Sequence, residues 1–387
     1  MASPFPEPGS VLWIADPSGL AILAEALAST RELALDTESN SMFAYRERVC
    51  LVQLGLVFDP ASALSPAIAI IDPLAFEALG EALSVVVEWM APGGDPARGP
   101  RVLMHGGEYD VAVLKRELGF APTHLFDTQA AASMLGLTRT GYASLCDELL
   151  GITVDKEQQQ TNWGKRPLSG AARSYAAADV LHLPPLARII EARVRAADLE
   201  EEVAIACRAV TEASAHEAMD EDERYWRVIG SERLSPDERA RLASLVAWRE
   251  REAELRDQPP GMLVPKAALL TLARRAPTEA SGLEGLGLSR RLLAESAEAL
   301  IAAVHHPVAP PVRGPRERPN PVVDQRRSRL KTWREVEAQR RGVTVQVVLP
   351  TRALDALAAG ERDLAAVPQL GDKRIRLYGE QLAKLIR

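Results

Sequence analysis

The C-terminal part of this 387-residue chain repeats itself, and the repeat restricts what the chain can fold into. Trp248-Arg249-Glu250 recurs 85 positions later as Trp333-Arg334-Glu335. Leu263-Val264-Pro265 recurs at the same offset as Val348-Leu349-Pro350, and a Leu-Gly pair recurs at an offset of 84. A nearly constant offset is typical of a duplicated module. Each copy has the pattern of a long amphipathic helix, a proline-containing turn and shorter helices, which predicts two small all-α domains.

The repeat also predicts the domain organisation. We expect one domain over residues 1–205, a connecting helical segment over 206–234, and the two helical modules over 235–305 and 329–387. Between the modules, residues 306–328 are rich in proline and arginine. Such a segment is predicted to be a semi-extended linker, and its basic side chains are candidates for contact with phosphate groups.

The N-terminal domain combines strand and helix patterns. Aliphatic runs at 32–36, 49–57 and 67–71 predict three strands joined by short connections, which is typical of an antiparallel meander. A strand at 101–104 followed by a helix at 108–118 begins an alternation that predicts parallel crossovers. We therefore predict an α/β domain, in which helices flank a mixed sheet.

Three short acidic motifs follow one another in this domain. Asp36 and Glu38 end the first predicted strand, and residues two apart on a strand point to the same side. Asp110 lies in the first turn of a predicted helix, while Tyr175 and Asp179 share one face of a later helix. Each motif alone has an ordinary explanation, such as a solvated surface or a favourable interaction with a helix dipole. Only together do they predict a catalytic site.

This set of side chains suits phosphodiester hydrolysis with two divalent cations, Mg²⁺ or Mn²⁺. Two ions roughly 3.5–4 Å apart activate a water and stabilise the leaving oxygen, and Mg²⁺ prefers oxygen ligands. We expect all four acids to be metal ligands, with Asp36 bridging the ions and Asp110 holding the second one. Glu38 and Asp179 would complete the site that activates water. Tyr175 would orient the attacking water through its hydroxyl.

Glu32 to Leu186 resemble the exonuclease domain of the ribonuclease D family, in the tyrosine-type branch of the DEDD exonucleases. The resemblance lies in Leu35-Asp36-Thr37-Glu38, Arg48 to Leu54, Val102 to Asp110, Phe126-Asp127-Thr128, Arg166-Pro167-Leu168 and Tyr175 to Val180. It implies a ribonuclease-H-like fold, with Asp36 on the first, central strand and Asp179 on a helix packed against the sheet. Thr37 and His105 are candidates for substrate contact. Ser39-Asn40-Ser41 departs from the family's pattern, so the substrate preference is less defined than the chemistry.

The first helical module resembles the HRDC domain, through Pro259-Pro260-Gly261-Met262, Val264-Pro265 and Leu286-Gly287-Leu288, and the second module resembles it more weakly. The ribonuclease D family joins one tyrosine-type exonuclease domain to two such modules. The resemblance therefore implies a 3′→5′ exoribonuclease that releases 5′-mononucleotides. Its partners would be RNAs with a free 3′ end, tRNA precursors among them, and the HRDC domains would contact RNA.

Two alternatives stay open on the residues alone: an exonuclease acting on DNA, and a non-catalytic adaptor that binds nucleic acid. The formal net charge of −7, from 46 basic and 53 acidic side chains, argues against a protein that coats nucleic acid through charge alone. Three widely spaced cysteines favour a reducing compartment. With no apolar run of membrane-spanning length and no signal peptide, we expect a cytoplasmic protein without membrane contact.

Overall fold

The computed structural model describes residues 11–62, 65–94, 99–155, 157–215, 219–230, 232–312 and 320–387. Contacts divide the described chain into two compact units. The first unit contains the described residues of 1–38, 49–216 and 318–387, and the second contains those of 39–48 and 217–317. The first unit therefore includes the second helical module, while the second unit includes the first module and a short loop from the N-terminal domain.

Six strands of the described chain form one mixed sheet, in the order β1-β4-β3-β2-β5-β6. The strands are β1 Val11–Ile14, β2 Glu32–Ser39, β3 Val49–Val57, β4 Ala67–Ile71, β5 Arg101–Met104 and β6 Leu125–Asp127. The pairs β1–β4, β2–β5 and β5–β6 are parallel, and β3–β4 is antiparallel. The predicted mixed sheet is thus confirmed.

The predicted position of Asp36 on the first strand is wrong, because β1 precedes the strand that carries it. Asp36 lies on β2, which is second in chain order although it is an interior strand of the sheet. β1 has four residues at the sheet edge, and only Ile14 among them is buried. So short a strand carries too little alternation to be recognised from sequence.

Nine α-helices of the described residues accompany the sheet. They are α1 Pro17–Ser29, α2 Leu79–Ala82, α3 Ser84–Met90, α4 Glu108–Leu118, α5 Thr128–Met134, α6 Tyr142–Leu145, α7 Gly170–Leu181, α8 Leu183–Ala196 and α9 Glu200–Thr211. α7 ends at Leu181, and α8 begins two residues later at Leu183. Pro184 and Pro185 lie in the first turn of α8, where the missing N–H groups leave no helical hydrogen bond unmade.

Helices cover both faces of the sheet, and successive residues of β2 pack into two different hydrophobic cores. Leu33 and Leu35 belong to a core shared with α1, α3 and α4. Ala34 belongs to a second core, shared with α5, α7, α8 and α9. Since side chains alternate along a strand, Asp36 and Glu38 point to the same face as Ala34, which is the face covered by α7.

Gly55 allows α7 to approach this face closely. A Cβ atom at Gly55 would lie 3.0 Å from the carbonyl oxygen of Val180 and 3.1 Å from the Cβ of Ala34. Val180 directly follows Asp179 on α7. The absence of a side chain at Gly55 therefore brings the C-terminal half of α7 next to the strand that carries Asp36.

The second unit consists mainly of five helices among its described residues. They are α10 Glu221–Ile229, α11 Pro236–Leu255, α12 Pro260–Leu263, α13 Lys266–Arg275 and α14 Arg290–His305. α11 begins with a reciprocal capping box, in which the side chain of Ser235 accepts from the Glu238 amide and the side chain of Glu238 accepts from the Ser235 amide. These helices enclose their own hydrophobic core, against which Tyr45 of the loop Ser39–Arg48 also packs.

The second module packs against the exonuclease domain within the first unit. Its helices are α15 Pro321–Arg341, α16 Val345–Val348, α17 Thr351–Ala359 and α18 Asp372–Leu385. Val347 is buried in the core on the α7 side of the sheet. Lys373 forms an ion pair with Glu202 of α9 at 3.2 Å, and the buried guanidinium of Arg374 donates to the Val347 carbonyl at 2.8 Å. This module is therefore a structural part of the unit that holds the sheet.

α15 begins inside the segment 306–328 that was predicted to be a linker. Asn320 caps the helix by accepting the Val322 amide at 3.1 Å, and Pro321 occupies the first helical position. Part of the predicted linker, residues 313–319, lies outside the described residues. No helix among the described residues is long and apolar enough to span a membrane.

Candidate active site

Three of the predicted acids meet where β2 faces α7. Asp36 and Glu38 lie in the partly buried second half of β2, after four fully buried residues. Asp179 lies on α7, which Ser169 caps by accepting the Ala172 amide. One carboxylate oxygen from each acid can be chosen so that the three atoms lie within 4.8 Å of one another. The strand end and the helix thus form one compact carboxylate cluster.

Asp110 reaches this region from α4 but is not a member of the cluster. It is buried in the first turn of the helix. Its Oδ1 accepts a hydrogen bond of 2.5 Å from the hydroxyl of Thr37, the residue between Asp36 and Glu38. The Thr37 side chain, a predicted substrate contact, is therefore engaged in holding Asp110 beside β2.

The carboxyl groups resist ionisation in these positions. Burial raises the pKa of Asp36 well above its ordinary value, and the charges of its three acidic neighbours add to the shift. Burial, followed by the charges of Asp179 and Asp110, raises the pKa of Glu38 to about 9. Burial raises the pKa of Asp179 to about 7. Burial also raises the pKa of Asp110 above its ordinary value, while the hydrogen bond from Thr37 opposes this rise. A cation would offset the free-energy cost of ionising these carboxyl groups, because a nearby positive charge favours the ionised form of each one.

Tyr175 faces the same cluster from α7. Burial and then the charges of Asp179, Glu38 and Asp36 raise the pKa of its hydroxyl, while a hydrogen bond with the Gln159 side chain opposes the rise. The hydroxyl is therefore protonated at neutral pH and can both donate and accept a hydrogen bond. Its ring packs against buried Trp163, with centroids 6.0 Å apart.

His105 occupies a supporting position. Its Nδ1 lies 2.9 Å from the Thr128 hydroxyl, which itself donates to the Met104 carbonyl at 3.1 Å. Burial lowers the pKa of the imidazole, so the ring is neutral at pH 7. The ring packs on Tyr142 at 5.4 Å, and the Tyr142 hydroxyl donates to the Ala178 carbonyl at 2.8 Å, one residue before Asp179. His105 thus contacts the framework that supports α7.

Comparisons with known proteins agree with this geometry. Residues 11–195 match the 3′–5′ exonuclease family, and residues 238–304 and 324–386 match the HRDC domain. The chain is 32% identical over 288 residues to ribonuclease D of Cronobacter turicensis, covering 74% of this chain and 73% of that protein. It is 30% identical over 359 residues to ribonuclease D of Pseudomonas paraeruginosa, covering 90% and 89%. The chain belongs to the ribonuclease D family.

Solved structures support the assignment to the ribonuclease D family. The structure of Escherichia coli RNase D, described as an exoribonuclease involved in structured RNA processing, covers 97% of this chain and 98% of that chain, with 25% identity and a TM-score of 0.66. A protein from Bifidobacterium adolescentis has the same fold, with a TM-score of 0.75 and 22% identity. The protein is therefore a 3′→5′ exoribonuclease, and the predicted family, fold class and enzyme class are confirmed.

The exonuclease domain of the ribonuclease D family uses divalent metal ions, and the observed cluster fits such ions. Asp36, Glu38 and Asp179 offer carboxylate oxygens, which are hard ligands suited to Mg²⁺ and Mn²⁺. The raised pKa values point the same way, because closely spaced carboxyls need a positive charge to ionise together. The chemistry of the donor set is therefore that of a hard divalent cation.

The structure also reveals an anchor that sequence reasoning did not identify. Arg166 donates to both carboxylate oxygens of Asp72 at 2.7 Å, to the Cys50 carbonyl at 2.9 Å and to the Trp163 carbonyl at 2.6 Å. The guanidinium thus fixes the loop that carries Trp163, on which the Tyr175 ring rests. The only sequence signal was the family-like Arg166-Pro167-Leu168, which did not indicate a partner 94 positions away.

Proposed function

We propose that this ribonuclease D family member removes nucleotides from RNA 3′ ends by hydrolysis assisted by two divalent ions, Mg²⁺ or Mn²⁺. We further propose that its substrates are structured RNAs such as tRNA precursors. The observation that carries the first proposal is the cluster of Asp36, Glu38 and Asp179 oxygens within 4.8 Å, with Asp110 held beside it through Thr37. The substrate assignment rests on the family and on the RNA-processing role stated for the E. coli protein.

Each carboxylate has a distinct proposed task. Asp36 would be shared between the two ions, Glu38 and Asp179 would complete the site for one of them, and Asp110 would hold the other. When bound, the ions would supply a water with a lowered pKa and would stabilise negative charge on the leaving oxygen. Because the pKa values of Asp36, Glu38 and Asp179 are raised, these side chains would release protons on binding the cations.

Tyr175 is proposed to orient the attacking water. Burial and then the charges of Asp179, Glu38 and Asp36 raise the pKa of its hydroxyl, which therefore stays protonated at neutral pH. A protonated hydroxyl facing the cluster would hydrogen-bond to the attacking water. In the reaction, the water oxygen bonds to phosphorus and the bond from phosphorus to the 3′-oxygen of the preceding nucleotide breaks. That oxygen takes up a proton, which yields a 5′-mononucleotide and a shortened RNA with a new 3′-hydroxyl.

The test is a gel assay of 5′-labelled single-stranded RNA with Mn²⁺, with Mg²⁺ and with chelator. Wild type should shorten the RNA from its 3′ end only when metal is present. Asp36→Asn should leave the RNA intact, whereas the matched surface variant Asp59→Asn should behave as wild type, since Asp59 is exposed at the far end of β3. Full activity of Asp36→Asn would refute the site.

A second arm of the same assay compares substrates. A matched DNA oligomer should be degraded more slowly than the RNA, and a tRNA precursor with a 3′ extension should be trimmed to a defined end. Preferential loss of the DNA would replace the RNA assignment with a DNA one. Intact RNA and DNA under every metal condition would favour the adaptor that only binds nucleic acid.

A further inference from the structure

Gln53 is a fully buried residue whose side-chain amide has no hydrogen-bond partner. It lies in the middle of β3, an interior strand of the sheet, and its exposed fraction is 0%. Neither its Nε2 nor its Oε1 makes a hydrogen bond within the part of the chain that the structure describes. A buried amide without a partner costs free energy that an apolar side chain would not. The chain therefore bears a cost at this position, as proteins commonly do at functional sites.

Gln53 lies on the face of the sheet that α7 covers. It pairs with Ile70 of β4, which belongs to the core shared with α7. The neighbouring strand β2 runs antiparallel to β3, because the Arg31 amide, next to the start of β2, donates to the carbonyl of Val57, at the end of β3, at 2.9 Å. Asp36 on β2 points to this same face, so both side chains lie between the sheet and α7.

The register of the two strands brings Gln53 opposite Asp36. A Cβ atom at Gly55 would lie 3.1 Å from the Cβ of Ala34, so these two residues face each other. Asp36 is two residues further along β2, and Gln53 is two residues back along β3. In antiparallel strands, residues that face each other have Cβ atoms about 4.5–5.5 Å apart. The Gln53 amide can therefore reach the Asp36 carboxylate by rotation about its own side-chain bonds.

A side-chain amide has the right chemistry for a neighbour of a metal-binding carboxylate. It donates hydrogen bonds and carries no charge. A hydrogen bond from a neighbouring donor restricts the rotation of a carboxylate and holds its oxygens towards a metal ion. A lysine or arginine could also donate, but its positive charge would repel the cations at the same site. Glutamine thus supplies the donor without the repulsion.

We propose that Gln53 is a positioning residue of the active site, whose amide N–H donates to the Asp36 carboxylate when that carboxylate binds divalent ions. The assignment rests on the proposed role of Asp36 as a metal ligand, and it adds a residue beyond the four acids and Tyr175. The hydrogen bond would give the Gln53 amide the partner that it lacks among the described residues.

The test replaces Gln53 by methionine, which has a similar size and no amide. In chelator, Gln53→Met should melt at the temperature of wild type or a few degrees above it, because no buried amide is then left without a partner. In Mn²⁺ titrations without RNA, followed by isothermal titration calorimetry, its affinity for Mn²⁺ should be roughly 10- to 100-fold lower than that of wild type. Steady-state kinetics at a subsaturating Mn²⁺ concentration should show a lower kcat and an unchanged KM for RNA.

Leu54→Met is the matched control. Leu54 is the next residue of β3, is equally buried, and belongs to the core on the other face of the sheet. A hydrophobic replacement of this kind changes stability little, so the control should bind Mn²⁺ as wild type does. Should Gln53→Met prove less stable than wild type in chelator, Gln53→Leu repeats the titration, and a wild-type affinity for Mn²⁺ in that variant would refute the positioning role.

The possible outcomes separate the role of Gln53 from the proposed function. Wild-type Mn²⁺ affinity in Gln53→Met would overturn the positioning role while leaving the metal site intact. An equal loss of affinity in Gln53→Met and Leu54→Met would also overturn it, since the loss would then follow from altered packing of β3. If wild type neither bound Mn²⁺ nor shortened RNA, the proposed function would fail, and the role of Gln53 would fail with it.

Discussion

Replacing Glu38 by Gln should make the metal-free protein more stable at pH 8, although it removes a proposed metal ligand. In the folded wild type, burial and two acidic neighbours raise the pKa of Glu38 to about 9, from an ordinary value of 4.5. A raised carboxyl pKa means that the folded state binds the proton more tightly than the unfolded state. Its contribution to stability is therefore complete below pH 4.5 and is lost as the pH rises through about 9.

The magnitude follows from this window. At pH 8 the Glu38 carboxyl is ionised in the unfolded state and protonated in the folded state. Between pH 4.5 and pH 8, which is about 3.5 pH units, the free energy of unfolding therefore falls by about 1.4 kcal/mol for each unit. The product, about 5 kcal/mol, is an upper bound, because Glu38 lies in the partly buried half of β2 and water screens it. We expect Glu38→Gln to gain ~1–3 kcal/mol at pH 8, since a neutral amide carries no such cost.

Thermal unfolding followed by intrinsic fluorescence would measure the effect. In chelator at pH 8, Glu38→Gln should melt several degrees above wild type, and the difference should nearly vanish at pH 5. Adding Mn²⁺ should raise the melting temperature of wild type, because a ligand that binds only the folded state stabilises it. The same addition should raise that of Glu38→Gln much less. Glu25→Gln, at an exposed position of α1, is the control and should follow wild type throughout.

Two results would refute the reasoning. A variant that is no more stable than wild type at pH 8 in chelator would mean that Glu38 bears no cost of ionisation in the fold. A variant that keeps the full Mn²⁺ response would mean that Glu38 does not bind the metal.

Three further predictions concern the surroundings of the cluster. Tyr175→Phe should lower kcat by roughly 10²-fold with little change in KM, because orientation of water matters mainly in the transition state. Steady-state kinetics on RNA would measure both constants, and a large rise in KM would instead mean that Tyr175 mainly binds the substrate. Arg166→Lys, which loses the two-point contact with Asp72, should lower kcat by roughly 10- to 100-fold. In a double-mutant cycle, that loss should shrink in the Tyr175→Phe background, and strict additivity would contradict a positioning role. Gly55→Ala should destabilise the protein by about 1–3 kcal/mol in chemical unfolding, because the new Cβ meets the Val180 carbonyl at 3.0 Å; unchanged stability and activity would show that α7 can move aside.

Local sequence patterns were sufficient for most of the elements around the site. β3, β4, β5 and α4 have the predicted bounds, since each is a continuous buried run or has one clear apolar face. Asp110 was recognisable because it lies in the first turn of α4, directly after β5. That Asp36, Glu38 and Asp179 lie together was a prediction from their order along the chain, and the structure brings these three into one cluster.

Contacts between distant residues were beyond the sequence. The Arg166–Asp72 pair spans 94 positions, and the hydrogen bond from Thr37 to Asp110 spans 73. Neither has a periodic signal, because such pairs depend on how helices and strands pack and not on the local pattern. The anchoring of the loop 39–48 on Asp257 is of the same kind, across more than 200 positions.

The burial of Val347 shows how far the two copies of the repeat have diverged. At the offset of 85, Val347 corresponds to Met262 of the first module, which is 67% exposed. The same position of the repeat is thus a surface residue in the first module and a core residue of the unit that holds the sheet in the second module. The two copies are no longer interchangeable. Deleting the C-terminal copy would therefore remove a buried side chain from the hydrophobic core on the α7 side of the sheet, and would expose that core to water.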